Sequence, residues 1–597
     1  MSRWYVRFAL ANLVALAVVL VAVAQPWVGA GAELPAALAR KYLPFALVLA
    51  ALGTALVARF VVPERRTQFL TRHFAIYAVV PLFLSIQSRT VEPSDAILGA
   101  IYFLAIGAWT LHALGGLWHV VANLHDRTAA WVIAAVLLVP FLALLPYERT
   151  VIRTASDEPH YLLIMQSLAG DHDLELKNEY DDTVAYQAFY DGTLPDRHII
   201  HVGEAEYPIR DLGLPVIGAL PFAIAGRTGV LVLMCLLAAA LAAQLYLACR
   251  DLGIAQSSAF LAVAGASLMH PLLTYTTQIY PELPAALAFV TAARLVRRGR
   301  TTTLTHLALA SACVGVLPWL SARAWFIGIG IGLVIAYCAL RPALRPTVTG
   351  LALRVAAGLF PFAVLVLLLS YVDYRMFGLF LPNAGYYLIR GQQQVLAFMP
   401  QIGALGLLFD RVFGLVPRTP LYLVAALGVV PLFRRARSTE LTALALGWLL
   451  YFLFIASIAY WWADGSPPSR YLLAGLPFLV VLLAAGIERL RVLRVARSAA
   501  VAIAWGLAAY SLFIAYAFAV LPNLRYDVAV DIKDTGSDGA LFTFLGRIVR
   551  PDPSAFFPSL VTAGATDLLL GSAWLVVVIA LIALGRPQRA PASVSAP

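Results

Sequence analysis

Long apolar runs separated by short polar stretches fill most of this 597-residue chain. Runs near the roughly 20 residues that an α-helix needs to cross a bilayer predict membrane spans. The first run, at 8–28, is longer than the apolar part of a signal peptide and has further runs behind it, so we interpret it as a retained helix. Four more runs precede the first long polar stretch, at 42–62, 74–87, 96–118 and 129–146.

Eleven further runs follow that stretch, and they bring the predicted total to about sixteen spans. They lie at 228–249, 255–270, 283–297, 303–319, 323–340, 350–371, 418–433, 439–460, 471–487, 498–520 and 567–585. A shorter apolar segment, 212–225, contains two prolines and two glycines, and we expect it to be interfacial or partly re-entrant. The pattern therefore predicts an all-α polytopic integral membrane protein.

Composition agrees with this class. The chain is 61% hydrophobic and 13% charged, whereas soluble domains are typically about 25% charged. Its net charge of +11 comes from short basic clusters between apolar runs, where such residues indicate topology, so no nucleic-acid partner is implied. The four cysteines have no CxxC spacing, so the sequence suggests neither a disulfide framework nor a zinc site.

The basic clusters predict which side of the membrane each loop faces. With the N-terminus inside, all of the main clusters fall on the cytoplasmic side, as the positive-inside rule requires. These are Arg65, Arg66 and Arg72; Arg297, Arg298 and Arg300; Arg341 and Arg345; Arg434, Arg435 and Arg437; Arg489, Arg491, Arg494 and Arg497; Arg586 and Arg589. We therefore expect a plasma-membrane protein with cytoplasmic termini, and with the loops 148–227, 371–417, 460–470 and 522–566 outside.

The outer loop after the fifth predicted span gathers most of the acidic residues nearby. Between Glu148 and Asp211 there are fourteen Asp and Glu against five Lys and Arg. Carboxylates concentrated at one water-facing site of a membrane protein indicate function, and Asp157 and Glu158 in RTASDEPHY are the first candidates. The alternative is structural, because a loop leaving a membrane is polar and Asp-Glu-Pro suits the start of a helix.

Four later motifs also fall on the predicted outer face. HPLLTYTTQIYPE places Glu282 at a helix start, and PWLSARAW places Arg323 between tryptophans. The residues alone favour an ordinary helix entry for Glu282 and an interfacial anchor for Arg323. FDRVFGLVPRTP contains Asp410 and Arg411, and YWWADGSPPSRY contains Arg470. The last two combine acids, arginines, turns and aromatic residues, a mixture suited to holding a phosphate and a sugar.

Taken in order, these motifs resemble those of the GT-C membrane glycosyltransferases, in particular the branch of the protein O-mannosyltransferases and the lipid A aminoarabinose transferase. SDEPHY is similar to the Asp-Glu-x-His/Arg-aromatic sequence that opens the family's first outer loop, and YPIRDLGLPVIGALPFAIAG resembles the segment after that loop. The resemblance covers about 129–487. It implies a GT-C-like helical core there and an outer loop with short juxtamembrane helices. The four predicted spans at 1–128 have no counterpart in the family's minimal core and form a four-helix extension, and additional helices are predicted at 488–597.

The resemblance also implies a reaction. A GT-C enzyme of this branch takes a sugar from a polyprenyl-phosphate donor and transfers the hexosyl or pentosyl group to a glycan, lipid or protein hydroxyl, here with inversion. Asp157 then matches the catalytic base and Glu158 its acidic neighbour. The expected substrate-binding residues are His160, Tyr161, Arg210, Glu282, Arg323, Asp410, Arg411 and Arg470. Arg210 stands where relatives often have His or Lys, so the phosphate contact differs in detail.

No cofactor is required by this chemistry. A divalent metal is a second option, because Asp157, Glu158, His160 and Glu282 offer oxygen and imidazole ligands, and His198 and His201 form an HxxH nearby. Two other classes of function stay open at this point. A transporter or lipid flippase would need ionisable residues in mid-span, which these spans almost lack. A non-catalytic scaffold for envelope assembly would use the added helices as contacts.

Overall fold

Apolar helices and a smaller polar loop region make up the computed structural model of this chain. It describes residues 121–151, 154–194, 197–389, 400–463, 465–493, 497–520, 522–525, 539–548, 552–561 and 564–586. The first four predicted spans lie outside these residues. Seven helices in the described part are long and apolar enough to cross a membrane, which agrees with a membrane-embedded, largely helical protein.

The first half of the described chain contains ten helices and one hairpin. In order, these are α1 Asp126–Val151, α2 Glu158–Gly170, α3 Lys177–Asp181, α4 Thr183–Tyr186, β1 Ile199–Val202, β2 Ala205–Pro208, α5 Gly213–Asp251, α6 Gln256–Leu268, α7 Leu272–Tyr275, α8 Glu282–Leu295, α9 Leu304–Leu320 and α10 Trp325–Leu340. Short 3-10 turns lie at Gly299–Thr301 and Ala322–Ala324.

The second half is helical throughout its regular elements. These are α11 Val348–Phe377, α12 Ala384–Ile389, α13 Pro400–Phe409, α14 Leu415–Arg418, α15 Leu423–Arg435, α16 Thr439–Ala456, α17 Leu472–Arg491, α18 Arg497–Val520, α19 Pro522–Arg525, α20 Gly539–Ile548 and α21 Ala565–Leu584. Two more 3-10 turns lie at Pro420–Tyr422 and Pro553–Phe556.

The count of about sixteen spans is not confirmed. Four of the predicted spans form helices of 13, 14, 17 and 13 residues, namely α6, α8, α9 and α15. These are shorter than the roughly 20 residues of a full crossing. Prolines explain part of the difference, because proline lacks the N–H that continues a helix. α6 ends three residues before Pro271, and Pro420 begins the 3-10 turn that precedes α15 within the predicted span 418–433.

The apolar segment after the first loop forms its own helical stretch at the start of α5. The helix breaks at Ala225 and Gly226, and Gly226 has a φ of 56° and ψ of −145°, a conformation that only glycine adopts readily. The chain then doubles back closely, since a Cβ on Gly229 would lie 2.0 Å from the Pro221 carbonyl oxygen. This separates 213–224 from the long apolar helix that follows, as expected from its prolines and glycines.

A β-hairpin in the first loop is a departure from the all-α prediction. β1 and β2 pair antiparallel, with Ile199 opposite Pro208 and Val202 opposite Ala205. Gly203 in the turn has a φ of 65°. The loop also carries the short helices α3 and α4, so it combines predicted and unpredicted elements.

Close helix contacts form the buried core. α15 packs on α17, α9 on α11, and α10 on α16. At the last of these crossings, a Cβ on Gly330 would lie 2.5 Å from the backbone nitrogen of Gly447. Small residues permit such close approach between helix backbones, which is the usual device of helix packing in membranes.

Candidate functional site

A sharp turn places Asp157 immediately before α2. Ser156 has a φ of 54°, and Asp157 occupies the N-cap position with Pro159 in the first turn of the helix. Proline suits this position because its missing N–H would have no helical partner there. The side chain of Asp157 does not cap its own helix, and its carboxylate bonds to other elements instead.

Glu158 anchors this turn from within the protein. Its carboxylate accepts the N–H of Ile279 at 2.8 Å and that of Ala155 at 3.4 Å, and the residue is fully buried. These bonds join the start of α2 to the loop before α8. The contacts described for Glu158 are therefore those of a residue that positions Asp157.

Asp157 lies between two arginines. Its Oδ2 accepts a hydrogen bond from Arg470 Nη1 at 2.8 Å, and its Oδ1 pairs with Arg210 Nη2 at 2.5 Å. Arg470 Nε also donates to Glu282 Oε1 at 2.9 Å, and Arg323 Nη2 donates to the same oxygen at 3.1 Å. We call these five residues the Asp157 cluster. The structure thus joins five of the predicted site residues in one chain of ion pairs.

The cluster is built at the N-terminal ends of five helices. Asp157 precedes α2, Arg210 lies just before α5, Glu282 is the first residue of α8, Arg323 lies just before α10, and Arg470 lies just before α17. A helix N-terminus presents unpaired N–H groups and a partial positive charge, and both favour anions. The convergence of five such ends makes this region favourable for negative charge.

The side chains of the cluster add to that field. Three guanidinium groups share the carboxylates of Asp157 and Glu282. Burial would lower the pKa of Arg470, but the charges of Glu282 and Asp157 raise it well above its usual range. Tyr280 supports the same side chain, since the Arg470 guanidinium carbon lies 4.1 Å from the centre of its ring, a cation–π contact.

Asp157 is a strongly ionised carboxylate in this arrangement. Burial alone would raise its pKa, but the positive charges of Arg210 and Arg470 hold the pKa well below its usual range. Glu282 keeps a second potential acceptor, because its Oε2 is buried without a hydrogen-bond partner among the described residues. A buried carboxylate oxygen without a partner is costly, and a hydroxyl or N–H of a bound molecule would satisfy it.

Asp211 organises a second group of polar contacts beside the cluster. Its Oδ1 accepts from Asn383 Nδ2 at 2.8 Å, and its Oδ2 accepts from the Tyr386 hydroxyl at 3.1 Å and from the Ala322 N–H at 3.2 Å. Asn383 Oδ1 in turn accepts from Trp325 Nε1 at 2.8 Å. Burial raises the pKa of Asp211 to about 7 in spite of these donors. The bonds fix the start of α5 against the turn between α9 and α10.

His160 and Tyr161 lie on the buried face of α2. Burial and the charge of Asp157 raise the pKa of Tyr161 well above its usual range. His160 Nδ1 is 2.6 Å from the Tyr180 hydroxyl, and its ring stacks on His198 with centroids 3.7 Å apart. Both residues therefore border the Asp157 cluster.

Asp410 and Arg411, which are also predicted to bind substrate, are not among the residues of the Asp157 cluster, and their described contacts are structural. Asp410 Oδ1 accepts two backbone N–H groups of its own turn, and its Oδ2 accepts the Leu560 N–H at 2.6 Å. The Arg411 N–H donates to the Pro558 carbonyl at 2.8 Å, and its guanidinium lies 3.6 Å from Asp567. These contacts anchor 552–561 to the core, because a buried carboxylate needs donors and here the backbone supplies them.

Several neighbours of the site were not predicted. Asp211 directly follows Arg210 in YPIRDLGLP, so its position in the chain was a usable signal. Asn383 and Tyr386 carry no such signal, since only the folded chain brings them to Asp211. His198 was considered as a metal ligand, whereas in the structure its Nδ1 accepts from Arg210.

The alternative metal set is not assembled in the described part of the chain, where no three His, Cys, Asp or Glu side chains are grouped to hold a metal ion. Asp157 and Glu282 pair with arginines, and Glu158 accepts backbone N–H groups. The rings of His160 and His198 stack face to face instead of converging on a point.

An apolar groove starts at Trp325, the first residue of α10. It has a volume of about 310 Å³ and lies between α10 and α11, with Trp325, Gly328 and Leu340 on one wall and Leu359 and Phe362 on the other. The helical rise makes the distance from Trp325 to Leu340 about 22 Å. Trp325 at one end of the groove donates to Asn383, which bonds to Asp211, so this end reaches the polar contacts of Asp211.

No family model matches this chain, and no curated protein matches its sequence. The resemblance to GT-C enzymes therefore depends on the short motifs alone.

Proposed function

We propose that this protein is a membrane glycosyltransferase of the GT-C type, which transfers a sugar from a polyprenyl-phosphate donor to an acceptor hydroxyl at the outer face of the membrane. The observation that carries the proposal is the Asp157 cluster. Three buried or half-buried arginines and five helix N-termini converge on a carboxylate, which is what binding an anion beside a base requires.

The groove supports a lipid-linked donor. Its lining is apolar and reaches from Trp325 to Leu340 along a candidate membrane helix. A donor whose phosphate lies at Arg323, Arg470 and Arg210 would have an apolar path for its polyprenyl chain directly alongside. Burial of such a chain is favourable by about 25 cal/mol per Å² of apolar surface.

The arginines around Asp157 also indicate an order of events. A carboxylate with a strongly lowered pKa is a weak base, because base strength follows pKa. When the donor phosphate binds Arg210, its negative charge offsets the positive charge beside Asp157 Oδ1, and the pKa of Asp157 rises. The base then becomes competent only when the donor is present.

Transfer follows as a single displacement. Asp157 accepts the proton of the acceptor hydroxyl while that oxygen forms a bond to the anomeric carbon. The bond from this carbon to the phosphate oxygen breaks, and polyprenyl phosphate leaves with the electron pair. The arginines hold the negative charge of the leaving group, and attack from the opposite side inverts the anomeric carbon.

Release of free polyprenyl phosphate tests this function. The protein is reconstituted in liposomes with polyprenyl-phosphate sugars extracted from the membranes of its source cell, and a membrane extract supplies the acceptor. A glycosyltransferase releases free polyprenyl phosphate and labels the acceptor. A flippase would move the donor between leaflets intact and a scaffold would do neither, so an intact donor with this protein would refute the proposal.

A further inference from the structure

His198 lies where the β-hairpin meets the Asp157 cluster. Its Nδ1 accepts hydrogen bonds from Arg210 Nε at 3.2 Å and from Arg210 Nη2 at 2.9 Å. Its backbone is fixed on both sides, since its N–H donates to the Tyr180 hydroxyl at 3.2 Å and its carbonyl accepts from the Ile209 N–H at 3.0 Å. The ring position is therefore determined by the hairpin and by α3.

Stacking fixes the orientation of the His198 ring. The ring lies against His160 at 3.7 Å between centroids, with 29° between the planes. Tyr180 holds His160 in turn, through its hydroxyl and His160 Nδ1. Burial, reinforced by the charge of Arg210, lowers the pKa of His160 to about 2, so that ring is neutral. The Nδ1 of His198 accepts two N–H groups, and this requires its proton to be on Nε2.

The Arg210 guanidinium uses two of its three nitrogens in contacts with the protein. Nε and Nη2 point to His198, and Nη2 also contacts Asp157 Oδ1. Nη1 has no hydrogen-bond partner among the described residues, and the side chain is 21% exposed. A planar guanidinium held at two nitrogens has the direction of its third fixed.

We propose that His198 is a positioning residue, which holds the Arg210 guanidinium so that Nη1 faces the phosphate of a polyprenyl-phosphate ligand. This inference rests on the proposed function for the identity of the ligand. His198 does not touch the ligand and acts only through Arg210. A neutral nitrogen suits the role, because a carboxylate at this point would orient Arg210 but also neutralise the charge that the phosphate needs.

Two substitutions of His198 separate the contribution of its acceptor atom from that of its ring stacking. His198→Asn keeps an acceptor, since the amide oxygen can occupy the place of Nδ1, but it removes most of the stacking surface. His198→Phe keeps a ring against His160 and removes the acceptor. His201→Phe is the matched control, because His201 lies on the same hairpin with its side chain 70% exposed. His198→Leu replaces the Phe variant if that variant does not fold.

The measurement is the Kd for undecaprenyl phosphate in mixed micelles, compared with the Kd for undecaprenol, which lacks the phosphate. We expect His198→Phe to weaken binding of undecaprenyl phosphate about tenfold, the order of one charge-assisted hydrogen bond. His198→Asn should stay within about threefold of the parent by the same reasoning, and His201→Phe should match it. Undecaprenol should bind all four proteins equally, since it does not use Arg210.

Each other outcome has a defined meaning. Equal binding of undecaprenyl phosphate by the parent and folded His198→Phe would overturn the inference, and so would equal losses in the Asn and Phe variants. If the parent protein binds undecaprenyl phosphate no better than undecaprenol, both this inference and the proposed function fail. If the expected pattern of Kd values is found but no sugar is transferred, only the proposed function fails.

Discussion

Asp157 is held by two guanidinium groups, and this makes it a strong anion and a weak base in the absence of ligand. Arg470 and Arg210 each contact one of its oxygens. Removing a partner from a buried ion pair typically costs about 3–5 kcal/mol, because the other charge remains buried. A donor phosphate that engages these arginines must therefore offer comparable interactions. Its diester supplies one negative charge and two free oxygens, and the leaving polyprenyl phosphate gains a second charge as the bond to the sugar breaks.

At the scale of single residues, Asp211 predicts how the free energy of unfolding depends on pH. Its pKa is raised from 3.8 to about 7 by burial, so its contribution to stability is complete below its unfolded pKa and is lost as pH rises through about 7. Between about pH 5 and about pH 8 the parent should lose on the order of 3 kcal/mol of unfolding free energy through this group. The side chain of Asp211→Asn cannot ionise, so this variant should lose less unfolding free energy over the same pH range.

The measurement is thermal or denaturant unfolding in detergent at both pH values. Asp182→Asn, at an exposed position of the same loop region, is the control and should follow the parent. A pH dependence in Asp211→Asn as steep as that of the parent would show that Asp211 is not the group responsible.

At the scale of elements, the site depends on where helices begin. Each of the five residues of the Asp157 cluster stands at or just before the first turn of a helix. The sequence allowed this to be foreseen for Asp157, Glu282 and Arg470, since each lies beside prolines at the edge of an apolar run. Asp410 has the same kind of setting, yet its carboxylate accepts the Leu560 N–H from 150 residues away, a tertiary contact that no local pattern encodes.

Other features of the fold were not predictable for related reasons. Helix positions followed from apolar runs, but lengths did not, because α6 and α15 are shortened by neighbouring prolines and by packing. The hairpin at 199–208 was missed since its strands are only four residues each and sit in a polar loop. The partnership of Asn383 and Asp211 joins segments 172 residues apart.

The crossing of α10 and α16 provides a test at the element scale. Gly330→Ala would place a methyl group 2.5 Å from the backbone nitrogen of Gly447, so the helices must separate. We expect a loss of about 1–3 kcal/mol of stability, as in other overpacked cores. Gly332→Ala, two residues away on the same helix, meets nothing within 4 Å and should have little effect. Equal melting temperatures for the two variants in detergent would contradict this packing.

At the scale of the whole molecule, three helices that begin at the Asp157 cluster end at the basic clusters of the chain. α8, α10 and α17 begin at the Asp157 cluster and end near Arg297, Arg341 and Arg491. Because positive clusters favour the cytoplasmic side, this division predicts that the cluster faces outward.

Labelling of single cysteines tests that orientation. Glu204→Cys places a thiol in the exposed hairpin turn, and Arg345→Cys places one in the exposed segment between α10 and α11. Three of the four native cysteines are buried, so background reaction should be low. An impermeant thiol reagent should label Glu204→Cys on intact cells and Arg345→Cys only after lysis. The reverse pattern would invert the topology and exclude an outer active site.

The most direct test of the central claim is the rate of polyprenyl phosphate release by Asp157→Asn in proteoliposomes. The substitution keeps the size of the side chain and removes the proton acceptor, so release should fall about 10²–10⁴-fold, the usual cost of losing a general base. The release rate of Glu158→Gln should fall less, since the contacts of Glu158 are to backbone N–H groups. The release rate of Asp171→Asn, in the same loop, should equal that of the parent. If folded Asp157→Asn releases polyprenyl phosphate at the parental rate, Asp157 is not the base and the account is wrong at its centre.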